Sequence, residues 1–132
     1  MTTTLFHTLT FRDADAAVAF LEAVGFTRRA LMTSAPGVVD HAEYAWGDRG
    51  GIMFGSAGRR TADDEHLELP GTSSCYCVVE TDEEVDAVYD RALAAGGTSV
   101  QAPMDPDYGG RTCTVRDAEG NQWSFGSYPG QA

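Results

Sequence analysis

The sequence predicts an α+β fold built from two tandem βαβββ modules. Three observations support this prediction. The segment Ile52-Met53-Phe54-Gly55-Ser56 recurs in the second half of the chain as Trp123-Ser124-Phe125-Gly126-Ser127, with three of the five residues identical. Both segments alternate bulky with small or polar residues, as half-buried strands do, and both follow a tight-turn signal, Gly47 to Gly50 or Asp117 to Gly120. The elements upstream of each copy also repeat in the same order, which indicates a duplicated module.

The length of 132 residues and a hydrophobic content of 42% suit one domain with one ordinary core. We expect residues 1–132 to form a single domain, with module one at 1–57 and module two at 74–132. Residues 58–73 show no clear periodicity and are the predicted linker.

Module one begins with a strand, residues 5–11, that alternates two faces, with His7 on one and Phe6 and Thr8 on the other. Asp13 is a suitable N-cap for an amphipathic helix that Gly25 ends. Three strands follow, at 26–33, 38–46 and 52–56.

Module two repeats this plan with a strand at 75–80 and a helix that starts at the capping box formed by Thr81 and Glu84. Gly96 and Gly97 end that helix. A strand at 98–102 leads into a loop at 103–110. The strands at 111–117 and 121–128 then form the last hairpin.

The formal net charge is −11, and all nine basic residues are arginines without a cluster larger than a pair. Nucleic acid and anionic membranes are therefore unfavourable partners, whereas cations are attracted. The amino terminus lacks the pattern of a targeting leader, so a cytoplasmic location is expected. Three cysteines do not suggest a disulfide framework; Cys75 and Cys77 suit buried small side chains, although Cys-x-Cys also binds soft metals.

Several segments resemble the vicinal oxygen chelate superfamily, which includes glyoxalase I, extradiol dioxygenases and bleomycin resistance proteins. They are Asp13-x-x-x-Ala17-x-x-Phe20, Ala94-Ala95-Gly96-Gly97 and Asp117-Ala-Glu-Gly-Asn121-Gln-Trp123-Ser-Phe125-Gly126. Ala118 stands where the family usually has proline. The resemblance implies that the modules form an open, curved, barrel-like mixed sheet with the helices on its convex face and a ligand on its concave face. It also implies a site that is often completed by a second chain.

The resemblance also implies where a divalent metal would bind, and those positions hold Phe6, Met53, Tyr76 and Ser124. None of these side chains is a usual ligand for such an ion. The repeat supports this alignment, because Phe6 and Tyr76 are separated by almost the same length of chain as Met53 and Ser124. We therefore expect no metal and no cofactor, with His7 on the opposite face of its strand.

The lining of the concave face depends on the register of the first hairpin. Pairing Trp46 with Ile52 places His41 and Glu43 on the face of Met53, whereas a shift of one residue would place Tyr44 and Trp46 there. In module two the same construction turns Thr112, Thr114, Gln122 and Ser124 inward. The predicted ligand-binding residues are Phe6, Thr8, His41, Glu43, Met53, Tyr76, Tyr108, Thr114 and Ser124, with Val78 beside them.

This lining suits binding better than hydrolysis, because aromatic rings and a flexible methionine accommodate planar ligands while hydroxyl groups orient them. The sequence favours a metal-free protein that sequesters a small aromatic, preferably cationic, molecule, and that forms a homodimer. The alternative is a lyase, isomerase or glyoxalase-like enzyme that uses His41 and Glu43 as acid and base.

Overall fold

The computed structural model describes residues 3–59 and 69–131 of the chain. Residues 60–68 of the predicted linker lie outside this part. The elements follow the predicted order, and in sequence they are β1 Leu5–Phe11, α1 Ala14–Val24, β2 Thr27–Ala35, β3 Val38–Trp46, β4 Gly50–Ser56, β5 Ser74–Val78, α2 Asp82–Ala94, β6 Thr98–Met104, β7 Thr112–Arg116 and β8 Gln122–Gly126.

The described strands form two open, mixed sheets of four strands each. Their orders are β1-β4-β3-β2 and β5-β8-β7-β6, so each module builds one sheet with the same topology. In both sheets the first strand pairs in parallel with the last strand of its module, and the other neighbours pair antiparallel. The predicted α+β architecture of tandem βαβββ modules is confirmed, with two separate sheets in place of one continuous sheet.

Both predicted helix starts are confirmed by their caps. The Asp13 carboxylate accepts a hydrogen bond from the Ala16 backbone N–H at 3.1 Å, and the Thr81 hydroxyl accepts one from Glu84 N–H at 3.2 Å. Each bond satisfies a backbone donor that the first helical turn leaves without a partner. Gly25 ends α1 with a φ of 125°, a backbone conformation that residues with a Cβ rarely adopt.

Alternation along the strands separates a helix-facing side from an open side. Leu9, Phe54, Trp123 and Phe125 are buried with the inner faces of α1 and α2 in one core cluster. Tyr44 belongs to the same cluster, where its ring stacks on Phe54 with centroids 5.7 Å apart. The opposite faces of both sheets remain open and carry most of the predicted ligand-binding residues.

The two modules pack through aromatic rings and through both ends of α1. Phe26 contacts Trp46 and Trp123, with ring centroids 4.8 and 5.6 Å away. Arg91 of α2 donates to the carbonyl groups of Ala23 and Val24 at 3.0 and 3.3 Å, where α1 ends. At the other end the Glu119 carboxylate accepts hydrogen bonds from two backbone N–H groups that precede the helix. A cation at the carboxyl end and an anion at the amino end both suit the helix dipole.

Candidate functional site

The first hairpin differs from its predicted register by two residues. Trp46 pairs with Gly50, where the sequence predicts Ile52. Met53 pairs with Glu43, whereas the predicted register would place Ala45 opposite it. The turn comprises only residues 47–49, with Gly47 at a φ of 62°, so β4 begins earlier than expected. Because side chains alternate with a period of two, this shift leaves Glu43 on the face of Met53. Tyr44 faces the helices.

Equivalent rows of side chains cross the open faces of the two sheets. Thr8, Met53 and Glu43 are consecutive partners across β1, β4 and β3. Tyr76, Ser124 and Thr114 form the matching row across β5, β8 and β7.

The predicted equivalence of Phe6 and Tyr76 is therefore wrong. Tyr76 is equivalent to Thr8, and the N-caps Asp13 and Thr81 are separated by the same length of chain as these two residues. The two hairpins are separated by a slightly longer stretch, as the equivalence of Met53 and Ser124 shows. One constant offset thus does not describe the whole repeat.

His41 and Glu43 form the most polar pair of the module-one face. The His41 Nε2 and Glu43 Oε2 atoms lie 2.8 Å apart, and the side chains are 38% and 34% exposed. Because water reaches both groups, the pair contributes little stability, so its placement has more consequence for chemistry than for folding. The pair stands beside a cavity of about 230 Å³, the His41 cavity, which is lined by Thr8, Leu9, Asp40, His41, Met53, Phe54, Gly55 and Arg59.

Module two carries a larger and more aromatic cavity of about 530 Å³. We refer to it as the tyrosine cavity; it is lined by Tyr76, Val78, Tyr108, Tyr128, Pro129 and Gly130. The rings of Tyr108 and Tyr128 meet edge to face with centroids 5.0 Å apart. The Tyr76 hydroxyl donates to the Tyr128 carbonyl at 2.9 Å, and partial burial raises the pKa of that phenol. Tyr76 is 43% and Tyr108 59% exposed, so their rings remain accessible to a ligand.

Glycines allow side chains to lie flat on both open faces. A Cβ at Gly126 would collide with the Tyr76 hydroxyl, and one at Gly51 would approach the Phe6 ring to 2.8 Å. A Cβ at Gly55 would approach Arg59 Cδ to 2.6 Å. Gly126 is thus required for the position of the Tyr76 ring in the tyrosine cavity.

Ion pairs and hydrogen bonds hold the loop that carries Tyr108. Arg111 at the end of this loop bonds Asp86 of α2 at 3.1 Å and Asp105 at 2.9 Å. Its backbone N–H also donates to the Ser127 hydroxyl at 3.0 Å, directly before Tyr128. These contacts position Tyr108 and Tyr128 in the wall of the tyrosine cavity before a ligand arrives, which lowers the entropic cost of binding.

A third concavity, the junction cleft, lies between the two modules. Its volume is about 600 Å³. One wall consists of residues 75–78 of β5, and the rest is Leu5, His7, Phe26, Trp46, Ile52 and the turn residues Gly47, Asp48, Arg49, Gly50 and Gly51. The Trp46 indole N–H donates to the Val78 carbonyl at 2.7 Å across this cleft.

The structure divides the predicted ligand-binding residues between the modules. Thr8, His41 and Met53 line the His41 cavity with Glu43 beside them, whereas Tyr76 and Tyr108 line the tyrosine cavity. The hydroxyl groups of Thr114 and Ser124 hydrogen-bond to each other at 2.7 Å. Phe6 lies over Gly51, and His7 lies in the junction cleft on the other face of β1.

Sequence reasoning missed Tyr128 and Arg59 as cavity residues. The sequence pattern predicts Tyr128 in the last strand, but β8 ends at Gly126 and the following residues turn over the open face. Pro129, which cannot donate a ladder hydrogen bond, was the available signal for this early end. Arg59 lies in the predicted linker, where no periodic pattern indicates which way a side chain points.

Comparison with known proteins assigns the family. The sequence profile of the Glyoxalase/Bleomycin resistance protein/Dioxygenase superfamily matches residues 4–125. The chain belongs to this superfamily. A comparison with curated protein sequences found no match.

Several solved structures share the fold over nearly the whole chain. TioX from Micromonospora sp. ML1 is 28% identical with a TM-score of 0.72, and the match covers 94% of this chain and 97% of that one. A glyoxalase-related enzyme from Fulvimarina pelagi is 22% identical, with a TM-score of 0.70 and coverage of 94% and 86%. Lactoylglutathione lyase from Agrobacterium tumefaciens is 21% identical, with a TM-score of 0.68 and coverage of 94% and 92%. At these last two identities the likeness concerns the fold alone.

The side chains at the positions that the resemblance assigns to a divalent ion do not fit one. Phe6 offers no donor atom, and Thr8, which the strand register makes equivalent to Tyr76, offers only a hydroxyl group. Met53 offers only a thioether, which is too soft for the usual divalent ions. The hydroxyl groups of Ser124 and Tyr76 are already hydrogen-bonded to other protein groups. Within the part of the chain that the structure describes, no three His, Cys, Asp or Glu side chains come together as metal ligands.

Among the same residues no helix is long and apolar enough to cross a membrane.

Proposed function

We propose that the protein binds a small, planar aromatic molecule in the tyrosine cavity and sequesters it without a metal ion. The observation that carries this proposal is the clustering of three tyrosines around about 530 Å³ of accessible space. This volume lies within the range typical of small-molecule sites. Tyrosine rings provide stacking surface with little conformational entropy to lose, and their hydroxyl groups orient a ligand.

A cationic ligand is favoured over an anionic one by the net charge of −11. The Glu43 carboxylate does not supply this preference at the tyrosine cavity. It lies on module one, where it pairs with His41. The attraction therefore comes from the acidic surface as a whole and from the faces of the tyrosine rings. A field of this kind raises the association rate at low salt and is screened as the ionic strength rises.

We further propose that the protein is a homodimer. The outer strands β2 and β6 each have one neighbour in their sheets, and Met32 and Val100 on these strands are exposed. Open sheet edges with apolar side chains favour a partner strand or sheet. A second copy could also bring its module-one face opposite the tyrosine cavity and so enclose the ligand. Light scattering should give twice the 14.1 kDa of one chain; a mass of one chain across micromolar concentrations would contradict the dimer.

Calorimetric titration with matched cationic, neutral and anionic planar aromatics tests the ligand class. Tyr108 lies on an exposed loop, so Tyr108→Ala should leave the fold intact and remove one stacking surface. A ring contact contributes about 1 kcal/mol, and about 2 kcal/mol with a desolvated cation, so we expect binding about 5- to 30-fold weaker. Tyr108→Phe keeps the ring and should bind like the wild type. Equal binding of anions and cations would refute the charge preference.

A second candidate function is acid–base catalysis by His41 and Glu43. The observation that favours it is the 2.8 Å contact between the two side chains beside the His41 cavity. An imidazole hydrogen-bonded to a carboxylate can move a proton between two positions of a substrate, as a lyase or isomerase requires. Chromatography of each bound compound after incubation would detect conversion. Conversion that stops in His41→Ala and persists in Tyr108→Ala would establish the enzyme in place of the binding protein.

A further inference from the structure

Two cysteines lie side by side on the edge of the second sheet. Cys75 and Cys77 pair with Trp123 and Phe125, so they share the helix-facing side of β5. In the described sheet β5 has a neighbour on one side only, and its other side faces the junction cleft. Neither the tyrosine cavity nor the His41 cavity includes these thiols.

Both thiols line the junction cleft, and they interact with each other. A hydrogen bond from the Cys77 thiol lowers the pKa of Cys75, and the same bond together with burial raises the pKa of Cys77. Cys75 is partly exposed and Cys77 is buried. The two sulfur atoms therefore lie close enough to interact, and the pKa of Cys75 lies below its ordinary value whereas that of Cys77 lies above it.

The strand geometry disfavours a disulfide but suits a bridging ion. Residues two apart on a strand have Cα atoms about 6.6 Å from each other, near the upper limit for a disulfide. Their side chains also leave the strand in parallel. Two metal–sulfur bonds, each about as long as the 2.3 Å of a zinc–thiolate bond, together span up to about 4.6 Å between the sulfur atoms.

We propose that Cys75 and Cys77 form a two-coordinate site for the soft monovalent ion Cu(I). Within the described ranges no third His, Cys, Asp or Glu side chain completes a cluster with them, which disfavours ions that require four ligands, such as Zn²⁺. Thiolates are the ligands that Cu(I) prefers. On binding, two sulfur–copper bonds form, the protons still held by the two sulfurs pass to water, and no atom changes oxidation state. This site is independent of the proposed aromatic ligand.

Anaerobic titration of the full chain with Cu(I), in competition with a chromophoric Cu(I) chelator, tests the site. We expect one equivalent per chain, and we expect affinity to fall more than about 100-fold in Cys75→Ser and in Cys77→Ser. Cys113→Ser is the matched control, because Cys113 is buried on β7 with its thiol directed to the Val85 carbonyl. Wild-type affinity in Cys75→Ser, or an equal loss in Cys113→Ser, would overturn the proposal.

A measurement on the wild type guards against variants that do not fold. Cys75 is the accessible thiol, so iodoacetamide should alkylate it, and mass spectrometry of the digested protein should locate the label. One equivalent of Cu(I) should protect Cys75, whereas one equivalent of Zn²⁺ should not. Undiminished labelling in the presence of Cu(I), or equal protection by Zn²⁺, would contradict a two-coordinate copper site.

Discussion

Removing the Glu119 carboxylate should destabilise the contact between the two modules. Both carboxylate oxygens accept hydrogen bonds of 2.7 Å, one from the Arg12 and one from the Asp13 backbone N–H. Hydrogen bonds to charged groups contribute about 1.5–3 kcal/mol each when protected from water. Because these two are exposed, we expect Glu119→Ala to lower the free energy of unfolding by about 2 kcal/mol in total.

Urea denaturation followed by circular dichroism measures this loss, and for a chain of this length it corresponds to a fall in Tm of about 8 °C. Glu119→Gln keeps one acceptor oxygen without the charge and should show about half of the effect. The control is Glu80→Ala, since Glu80 is an exposed glutamate and its removal should change stability by less than about 0.5 kcal/mol. A Glu119→Ala protein as stable as the control would show that the hydrogen bonds from Arg12 and Asp13 to Glu119 do not stabilise the contact between the modules.

Other consequences follow from the phenol of Tyr44, from one glycine and from the metal positions. Burial raises the pKa of Tyr44 to about 12, so the unfolded chain loses this proton first. Stability should therefore fall by about 2 kcal/mol between pH 10 and 12, and Tyr44→Phe should remove that part of the fall in alkaline urea titrations. Gly126→Ala should displace the Tyr76 ring, and calorimetry should show aromatic ligands binding at least several-fold more weakly. The control is Gly58→Ala, which should leave ligand affinity unchanged because a Cβ at Gly58 meets no atom within 4 Å. Elemental analysis of the dialysed protein should find far less than one equivalent of Zn, Ni, Mn or Fe; a full equivalent would refute the metal-free proposal.

The order of elements was predictable because its signals are local. Caps such as Asp13 and Thr81 act within one turn of their helix, and strand alternation requires only neighbouring residues. The same alternation correctly predicted Glu43 on the face of Met53, although the predicted hairpin register differs from the observed one by two residues. The hairpin register was mispredicted because the sequence Gly47-Asp48-Arg49-Gly50 suits turns of more than one length.

The division of the open faces into separate cavities was not predictable from strand patterns. It depends on how the modules pack, and that packing rests on long-range contacts such as the rings of Phe26 and Trp123 and the reach of Arg91 to α1. Periodicity identifies the face on which a residue lies, but it does not identify the neighbour across a module boundary. Tyr128 illustrates the limit, because its role depends on the chain leaving the sheet after Gly126.

The most direct test of the central claim is a crystal structure of the protein with the aromatic compound that binds it most tightly. We predict electron density for the compound in the tyrosine cavity, with its ring plane against Tyr76 and Tyr108 and its charged group directed towards solvent. Density beside His41 and Glu43, with the tyrosine cavity empty, would contradict the account and would favour the catalytic alternative.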